Sequence, residues 1–177
     1  KKKKINFPIV LKPINEGSSI GVKICKRKKN LFKLISQLIK KYENLILEEY
    51  IGGQEIQVAV INNNVLGAIE LIPKRLFYDY KAKYTKKART THVMPANISA
   101  NKYKKILAIA KKTHQVLQCR GVTRSDFKFY KDKFYLLDIN TQPGMTSLSL
   151  VPEIASYKGI SFMQLIEKII SDASINK

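Results

Sequence analysis

The chain has 177 residues, enough for one domain or for one large domain with a lobe of another. Its apolar share of 45% supports a sizeable core, and no apolar run approaches the length of a membrane span. The net charge of +20 suggests nucleic-acid binding. The lysines, however, are spread along the whole chain and no RNA- or DNA-binding motif is present. We therefore expect neither a nucleic acid nor a membrane as partner.

The cellular compartment is predicted from the first residues and from the cysteines. The basic stretch Lys1–Lys4 is followed by an apolar segment that is too short and too interrupted for the core of a signal peptide. Cys25 and Cys119 lack the spacing of metal ligands, so two free thiols in a reducing compartment are expected. These features predict a cytoplasmic protein.

Short apolar runs bounded by turn residues predict strands in the first half of the chain. The predicted strands are residues 7–12, 21–26, 45–50, 55–61 and 65–72. Apolar residues at helical spacing predict an amphipathic helix over about residues 29–42. The last two strands flank Asn62-Asn63-Asn64 and are expected to form a hairpin.

The second half mixes helices with a further hairpin. Pro73–Asn97 has no clean period and is predicted to be a long loop, functional or disordered. Ser99 is expected to cap a helix whose apolar face uses Ile106, Ala110, Thr113 and Leu117. Pro152 is expected to begin a helical tail with apolar positions Ile160, Phe162, Leu165, Ile166, Ile169 and Ile170. Antiparallel hairpins mixed with helices predict the α+β class.

The hairpin that follows Val122 carries the strongest chemical pattern. Two β-like runs flank the polar turn Lys131-Asp132-Lys133. If Tyr130 pairs with Phe134 across a three-residue loop, Asp126 falls opposite Asp138. Directly opposed residues have Cβ atoms about 4.5–5.5 Å apart, and like charges at that distance repel. A shift of the pairing by one residue would remove this juxtaposition.

The same register places Arg124 opposite Asn140, on the face that carries Asp126 and Asp138. Two carboxylates and an amide oxygen suit a hard cation such as Mg²⁺. The alternative is a solvated face with tolerated repulsion. The following loop, Pro143–Leu150, offers backbone N–H groups and serine hydroxyls that can hold a carboxylate or a developing oxyanion.

Three other segments are weaker candidates. The loop Glu16–Gly21, after Lys12, can form an anion nest but lacks the phosphate-loop spacing. Glu48 and Glu49 point to opposite faces of a strand, so at most one belongs to a given site. Residues 78–84, rich in tyrosine and lysine, are either a loop that closes over a phosphate-bearing ligand or a basic surface loop. His92 and His114 are solitary, and no catalytic role is assigned to either.

Taken in order, these stretches resemble the D-alanine–D-alanine ligases of the ATP-grasp superfamily. The resemblance rests on Phe7–Pro13, Glu16–Gly21, Leu47–Tyr50, Phe77–Tyr84, Cys119–Gly121, Arg124–Asp126 and Asn140–Ser147. It covers essentially all 177 residues and implies an α+β ATP-grasp fold. Residues 1–53 would belong to the central ATP-binding lobe. Residues 54–177 would form the C-terminal lobe, which contains a mixed or antiparallel sheet.

The resemblance also implies binding roles for individual residues. Positions that match the family's ATP-binding groups are Lys12, Glu48, Ile51, Glu55 and Lys83. Among these, Glu55 matches the acid that holds the ribose, and Lys83 matches the phosphate-binding lysine of a mobile loop. Positions that match Mg²⁺ ligands, with Mn²⁺ as an alternative cation, are Asp126, Asp138 and Asn140.

Catalytic and substrate positions follow in the same way. Arg124 and the Gly144 N–H match the groups that stabilise a tetrahedral intermediate. Ser149 and Leu150 match positions that hold the carboxylate of the second D-alanine. Ser18 and Tyr84 match two members of a hydrogen-bonded triad that locks the mobile loop. The implied reaction phosphorylates one D-alanine carboxylate with ATP, and the amine of a second D-alanine then attacks the acyl phosphate, a step of peptidoglycan synthesis.

Two departures from the family pattern qualify these expectations. Asp138 stands where the family usually has Glu, so the reach to a metal is shorter by one methylene. The family's first D-alanine site, the acid of the triad and a further ATP-binding lysine belong to regions that should precede Lys1. The chain is therefore expected to be a C-terminal portion of a ligase that binds nucleotide weakly and makes no dipeptide alone. The partners expected besides D-alanine are a second copy of the chain, as a homodimer, or a separate chain that supplies the missing N-terminal domain.

Two alternative functions remain open beside the one that the resemblance implies. One is another ATP-grasp carboxylate–amine ligase with a different amino acid as substrate. The other is a non-catalytic basic remnant, which would bind duplex DNA in a salt-sensitive way and would not bind Mg·ATP.

Overall fold

The structure is a computed structural model that describes residues 5–17, 19–73 and 90–173. The chain divides into two compact units. The first unit contains the residues up to Ile51, and the second contains Gly52–Ile72 and the residues from Thr90 onward. Within the described ranges, no helix combines the length and the apolar character needed to cross a bilayer.

The first unit is a three-stranded antiparallel sheet with one helix. The strands are β1 (Ile9–Pro13), β2 (Lys23–Cys25) and β3 (Leu45–Glu49), in the order β2-β1-β3. The helix α1 (Leu31–Leu38) follows a short 3₁₀ turn at Lys28–Asn30. Its core combines Ile9, Leu11 and Cys25 from the sheet with Leu38 from the helix. The predicted strands are confirmed, but the α-helix ends four residues before the predicted limit.

The second unit is built on a five-stranded antiparallel sheet in the order β6-β5-β4-β7-β8. Its strands are β4 (Gln54–Ile61), β5 (Asn64–Ile72), β6 (Thr91–Val93), β7 (Val122–Tyr130) and β8 (Lys133–Asn140). Its helices are α2 (Ala100–Val116), α3 (Leu150–Tyr157) and α4 (Phe162–Asp172). The α+β class predicted from the sequence is confirmed. The stretch predicted as one loop, 73–97, contains the unpredicted strand β6.

One face of this sheet packs on α2. Ile56, Val58 and Val60 alternate along β4 and form a core with Ile106 and Ala110 of the helix. Because strand side chains alternate, the intervening residues of β4 point to the opposite face. That opposite face carries the polar residues described below.

The helical face of α2 differs from the predicted one in its last turn. The buried positions are Ile106, Ala110 and His114, whereas Leu117 is 54% exposed. The spacing of four residues selects His114 over Thr113, whose hydroxyl donates to the Ile109 carbonyl at 2.9 Å instead. The helix begins after Ser99 as predicted, but the Ser99 side chain makes no capping hydrogen bond.

The predicted helical tail is two helices rather than one. It begins at Leu150, two residues before Pro152, and is interrupted between α3 and α4. Ser161 opens α4 with a capping box, in which its hydroxyl accepts from the Gln164 N–H at 3.2 Å. Of the predicted apolar positions in α4, Leu165 is fully buried. Phe162 and Ile170 are exposed, contrary to the prediction.

Both hairpins of the sheet use two-residue turns. Asn62 and Asn63 have φ of 46° and 62°, and Lys131 and Asp132 have φ of 46° and 63°. Two consecutive residues with positive φ give a turn whose twist matches that of the strands. The predicted three-residue turns, 62–64 and 131–133, are each one residue too long.

Gly53 shows where the start of β4 requires glycine. Its φ is +84°, and a Cβ placed there would lie 2.2 Å from the carbonyl oxygen of Phe129. No side chain fits that gap, so this residue lets β4 begin alongside β7.

Candidate functional site

The pairing of β7 with β8 brings the predicted metal ligands to one face. Tyr130 pairs with Lys133, not with Phe134, so the predicted pairing at the turn is wrong. A bulge between Asp126 and Phe127 then shifts the register by one residue, and Asp126 lies opposite Asp138. The predicted juxtaposition of the two carboxylates is therefore present, although it arises from a shorter turn combined with a bulge.

Arg124 lies opposite Asn140, as predicted, and forms an ion pair along its own strand. Its Nε donates to Asp126 Oδ1 at 2.8 Å and its Nη2 donates to Oδ2 at 3.0 Å. The two side chains are 17% and 14% exposed. A two-pronged pair of this kind fixes the orientation of both groups. Asp138 is more exposed, and its Oδ1 accepts the Ile139 N–H at 2.8 Å.

The donor set on this face fits a hard cation. Asp126 and Asp138 offer carboxylate oxygens, and the Asn140 amide offers a neutral oxygen beside them. The Nδ2 of Asn140 is buried without a hydrogen-bond partner among the described residues, a condition that a ligand with an acceptor oxygen, and not a cation, would relieve. In those same residues, no group of three or more His, Cys, Asp and Glu side chains is arranged to hold a metal. The set therefore offers three side chains only when the amide of Asn140 is counted with the two carboxylates.

Two further residues on this face were not predicted as part of the site. Lys128 lies directly across from Glu55, and its Nζ contacts Glu55 Oε2 at 3.0 Å, with side chains 13% and 14% exposed. Gln57 lies directly across from Asp126, is 1% exposed, and has an amide oxygen with no hydrogen-bond partner in the described structure. The sequence signal was a lone polar residue within an apolar strand, two residues after Glu55.

In the first unit, the structure joins two of the predicted nucleotide-binding residues. Lys12 Nζ lies 2.9 Å from Glu48 Oε1, and both side chains are partly exposed. Glu49 points the other way and accepts from the N–H and the amide of Asn6, each at 3.1 Å. The prediction that Glu48 and Glu49 serve different faces is confirmed. Ile51 follows β3 and is half-buried.

The loop after β8 is organised around Ser149. The Ser149 Oγ accepts from the Thr146 N–H at 2.9 Å and lies 3.0 Å from Thr146 Oγ1. A Cβ on Gly144 would stand 2.9 Å from that same Oγ, so the turn closes only with a glycine or with a displaced serine. Ser149 precedes α3, and Leu150, the first residue of α3, is buried. Gly144, Ser149 and Leu150 are thus neighbours in one compact turn.

The two histidines have structural environments. His114 is 1% exposed, and its Nδ1 lies 2.8 Å from Thr123 Oγ1. Burial lowers the pKa of His114 below its usual value, so the ring is held neutral between helix and sheet. His92 Nδ1 lies 2.8 Å from Glu153 Oε2 and ties β6 to α3.

Three predicted site residues, Ser18, Lys83 and Tyr84, lie outside the described residues. The others fall into groups within their own units. One group, in the first unit, is Lys12 with Glu48, close in sequence to Ile51. The second unit holds Glu55, Arg124, Asp126, Asp138 and Asn140 on one sheet face, and Gly144, Ser149 and Leu150 in the following turn.

Comparison with known proteins identifies the family. The profile described as D-ala D-ala ligase C-terminus matches residues 1–171. A D-alanine–D-alanine ligase from Pelagibacter ubique (strain HTCC1062) is 58% identical over 175 residues, which cover 99% of this chain and 57% of that protein. The corresponding ligase from Rickettsia typhi (strain ATCC VR-144 / Wilmington) is 46% identical over 170 residues, covering 94% and 52%.

The fold is shared with solved structures. A crystal structure of the D-alanine–D-alanine ligase from Bacillus anthracis superposes with a TM-score of 0.80 at 31% identity, covering 94% of this chain and 54% of that one. The ATP complex of the Bacillus anthracis ligase gives a TM-score of 0.76 at 25% identity, covering 94% and 50%. The chain spans about half the length of the relatives it matches. The predicted ATP-grasp fold is confirmed, and the chain belongs to the family of D-alanine–D-alanine ligase C-terminal regions.

Proposed function

We propose that this chain supplies the nucleotide- and metal-binding part of an ATP-dependent D-alanine–D-alanine ligase. The observation that carries the proposal is the register of β7 and β8, which sets Asp126 against Asp138 and Arg124 against Asn140. Family membership supports the same activity. The product would be D-alanyl-D-alanine for peptidoglycan. The reaction would take place in the cytoplasm, a compartment that suits two free cysteines.

The proposed binding roles follow from the chemistry of each group. Asp126, Asp138 and Asn140 hold Mg²⁺, which supplies positive charge next to the transferring phosphoryl group when it is bound. Glu55 accepts hydrogen bonds from the ribose hydroxyls, and Lys12 offers an ammonium to the phosphates. Further nucleotide-binding positions are Glu48, Ile51 and Lys83.

The proposed catalytic roles concern charge that develops during acyl transfer. Arg124 provides a fixed positive charge and the Gly144 N–H donates to the oxygen of the tetrahedral intermediate. Ser149 and the backbone of Leu150 hold the carboxylate of the second D-alanine at the start of α3, where N–H groups favour an anion. Ser18 and Tyr84 hold the closing loop over the substrates and exclude water.

Two measurements test this function. Calorimetric titration of Mg·ATP into the chain should show binding that Asp126→Asn weakens at least about tenfold, since the substitution removes a charged ligand. The protein that contains the chain should release phosphate from ATP in a D-alanine-dependent way. Unchanged Mg·ATP affinity in Asp126→Asn would contradict the metal assignment.

A panel of amino acids in the phosphate-release assay separates the D-alanine ligase from a carboxylate–amine ligase with another substrate. Release that depends on a different amino acid would establish the second activity. Failure to bind Mg·ATP, together with duplex DNA binding that weakens steeply with salt, would instead identify a basic binding module.

A further inference from the structure

Gln57 is a buried amide whose place in the sheet requires an explanation. It is 1% exposed, and its Oε1 has no hydrogen-bond partner in the part of the chain that the structure describes. A buried acceptor left without a donor destabilises a fold, because water satisfied it in the unfolded chain. A leucine of similar volume would avoid that cost within this otherwise apolar segment of β4. Such an unpaired group points to a function that another state of the site fulfils.

The position of Gln57 relates it to Arg124. Gln57 lies directly across from Asp126, while Arg124 lies two residues along β7, directly across from Ala59. Gln57 and Arg124 are therefore diagonal neighbours on the same face, a separation of about 7–8 Å between backbones that long side chains span. Asp126 holds the guanidinium with both carboxylate oxygens. Gln57 thus stands beside this ion pair and takes no part in it.

Metal binding at Asp126 would remove hydrogen-bond acceptors from the Arg124 guanidinium. A carboxylate that turns its oxygens to a dication no longer serves as a two-pronged acceptor for a guanidinium. Arginine has five N–H donors, stays charged, and cannot accept a hydrogen bond, so the Nε–H and Nη2–H groups released by Asp126 require another oxygen. The neutral oxygen of Gln57 is an acceptor within reach and adds no further negative charge to the site.

We propose that Gln57 is a positioning residue that accepts the Arg124 guanidinium when Asp126 turns to the metal. This inference rests on the proposed function, since it assumes that Asp126 binds the Mg²⁺ of Mg·ATP. In the resting state Arg124 is paired with Asp126, and no described residue donates a hydrogen bond to Gln57 Oε1. In the loaded state Gln57 retains the guanidinium on the same face, close to where its charge is required.

The test compares Gln57→Leu with the parent chain. The substitution removes the acceptor at nearly constant volume, so the thermal midpoint without ligand should stay the same or rise. Mg·ATP affinity, measured by calorimetry, should fall about tenfold or more, the usual effect of losing a hydrogen bond to a charged group. Mn²⁺ binding followed by electron paramagnetic resonance should weaken in parallel.

Ser125→Ala is the matched control. Ser125 is also fully buried, and its Oγ has no hydrogen-bond partner within the described ranges, but it lies on the opposite face of the sheet, with Phe127 and α2. Its substitution should leave Mg·ATP affinity unchanged. Gln57→Asn keeps a neutral amide oxygen on a shorter side chain, so its Mg·ATP affinity should lie between that of Gln57→Leu and that of the parent chain. The NMR signal of the Arg124 Nε–H should shift on addition of Mg·ATP in the parent chain, and by less in Gln57→Leu.

The outcomes separate this proposal from the proposed function. Unchanged Mg·ATP affinity in Gln57→Leu would refute the positioning role, and so would a loss of affinity matched by a lower thermal midpoint. If Asp126→Asn weakens Mg·ATP binding while Gln57→Leu does not, only the positioning role fails. If neither substitution affects binding, the metal assignment itself fails.

Discussion

The ion pair between Lys128 and Glu55 gives a prediction whose size follows from its geometry. The two residues are directly opposed on β7 and β4, with a 3.0 Å contact, and both side chains are nearly buried. Lys128→Met removes the ammonium and keeps most of the apolar stem. We expect it to lower the free energy of unfolding by about 2 kcal/mol, because a largely desolvated carboxylate loses a charged donor.

The assay is a double-mutant cycle in urea at pH 7. With a typical urea slope of about 2 kcal/mol per molar, the midpoint of Lys128→Met should fall by about 1 M. Glu55→Leu should also destabilise the chain, while the double variant should lose much less than the sum, giving a coupling of about 2 kcal/mol. Hydrogen exchange at the amides of β4 and β7 confines the measurement to the second unit.

A coupling below about 0.5 kcal/mol would refute this reasoning, since the pair would then behave as an exposed surface ion pair. Lys102 and Asp132 provide the comparison. They also form an ion pair in the second unit, but the Asp132 side chain is 75% exposed. Lys102→Met should therefore cost well under 1 kcal/mol.

Three other predictions follow from the site and its surroundings. Because burial lowers the pKa of His114 below 6.5, the unfolded chain takes up a proton there that the folded chain does not. The free energy of unfolding is therefore unaffected by this group above pH 6.5 and declines as the pH falls below 6.5. His114→Gln should flatten this decline, as measured by unfolding at a series of pH values. Ser149→Ala removes the acceptor of the Thr146 N–H, so it should lower the free energy of unfolding by about 1 kcal/mol. Under the proposed function, it should also raise the KM for D-alanine of the protein that contains the chain. A KM equal to that of the parent would exclude a substrate contact. Asp138→Glu lengthens the reach to the metal and should tighten Mg·ATP binding in calorimetry; weaker binding would show that the shorter acid suits this site.

Periodicity predicted most elements of the fold, because strands and amphipathic helices repeat with fixed spacings. It failed where two neighbouring residues of a helix fitted the spacing of the buried face equally well. On α2, Thr113 and His114 both fit a helical spacing, and packing against Thr123 selected the histidine. Leu117 was predicted inside because it is apolar, yet the helix ends at Val116 and Leu117 lies beyond it.

The site was predictable where side-chain alternation alone decided the arrangement. Because a strand has a period of two, Arg124 and Asp126 share one face of β7, and Asp138 and Asn140 share one face of β8. The pairing of Asp126 with Asp138 was predicted from a three-residue turn, and it is present only because a bulge offsets the shorter turn. The bulge could not be foreseen, because it falls at Leu136 and Leu137, and neither a glycine nor a charged residue marks an irregularity there. Gln57 was overlooked because its partner strand β7 follows about seventy residues later, and only the pairing of β4 with β7 brings it beside Asp126.

The bulge in β8 has a consequence for how this hairpin can change in length. The two-residue turn alone would pair Asp138 with Ser125 and turn it toward α2; the extra residue in the ladder reverses that outcome. A three-residue turn followed by a ladder without a bulge would also place Arg124, Asp126, Asp138 and Asn140 on one face. The number of residues in the turn and the number of extra residues in the ladder thus add up, and whether the sum is odd or even decides which face the side chains of β8 occupy. An insertion or deletion of one residue between Phe127 and Asp138 would turn Asp138 and Asn140 to the face that packs on α2, unless a second change restored the register. We therefore expect an insertion or deletion in this hairpin to be tolerated only together with a second one that restores the register. The strand that carries the change would accept it on its own, but the site would not.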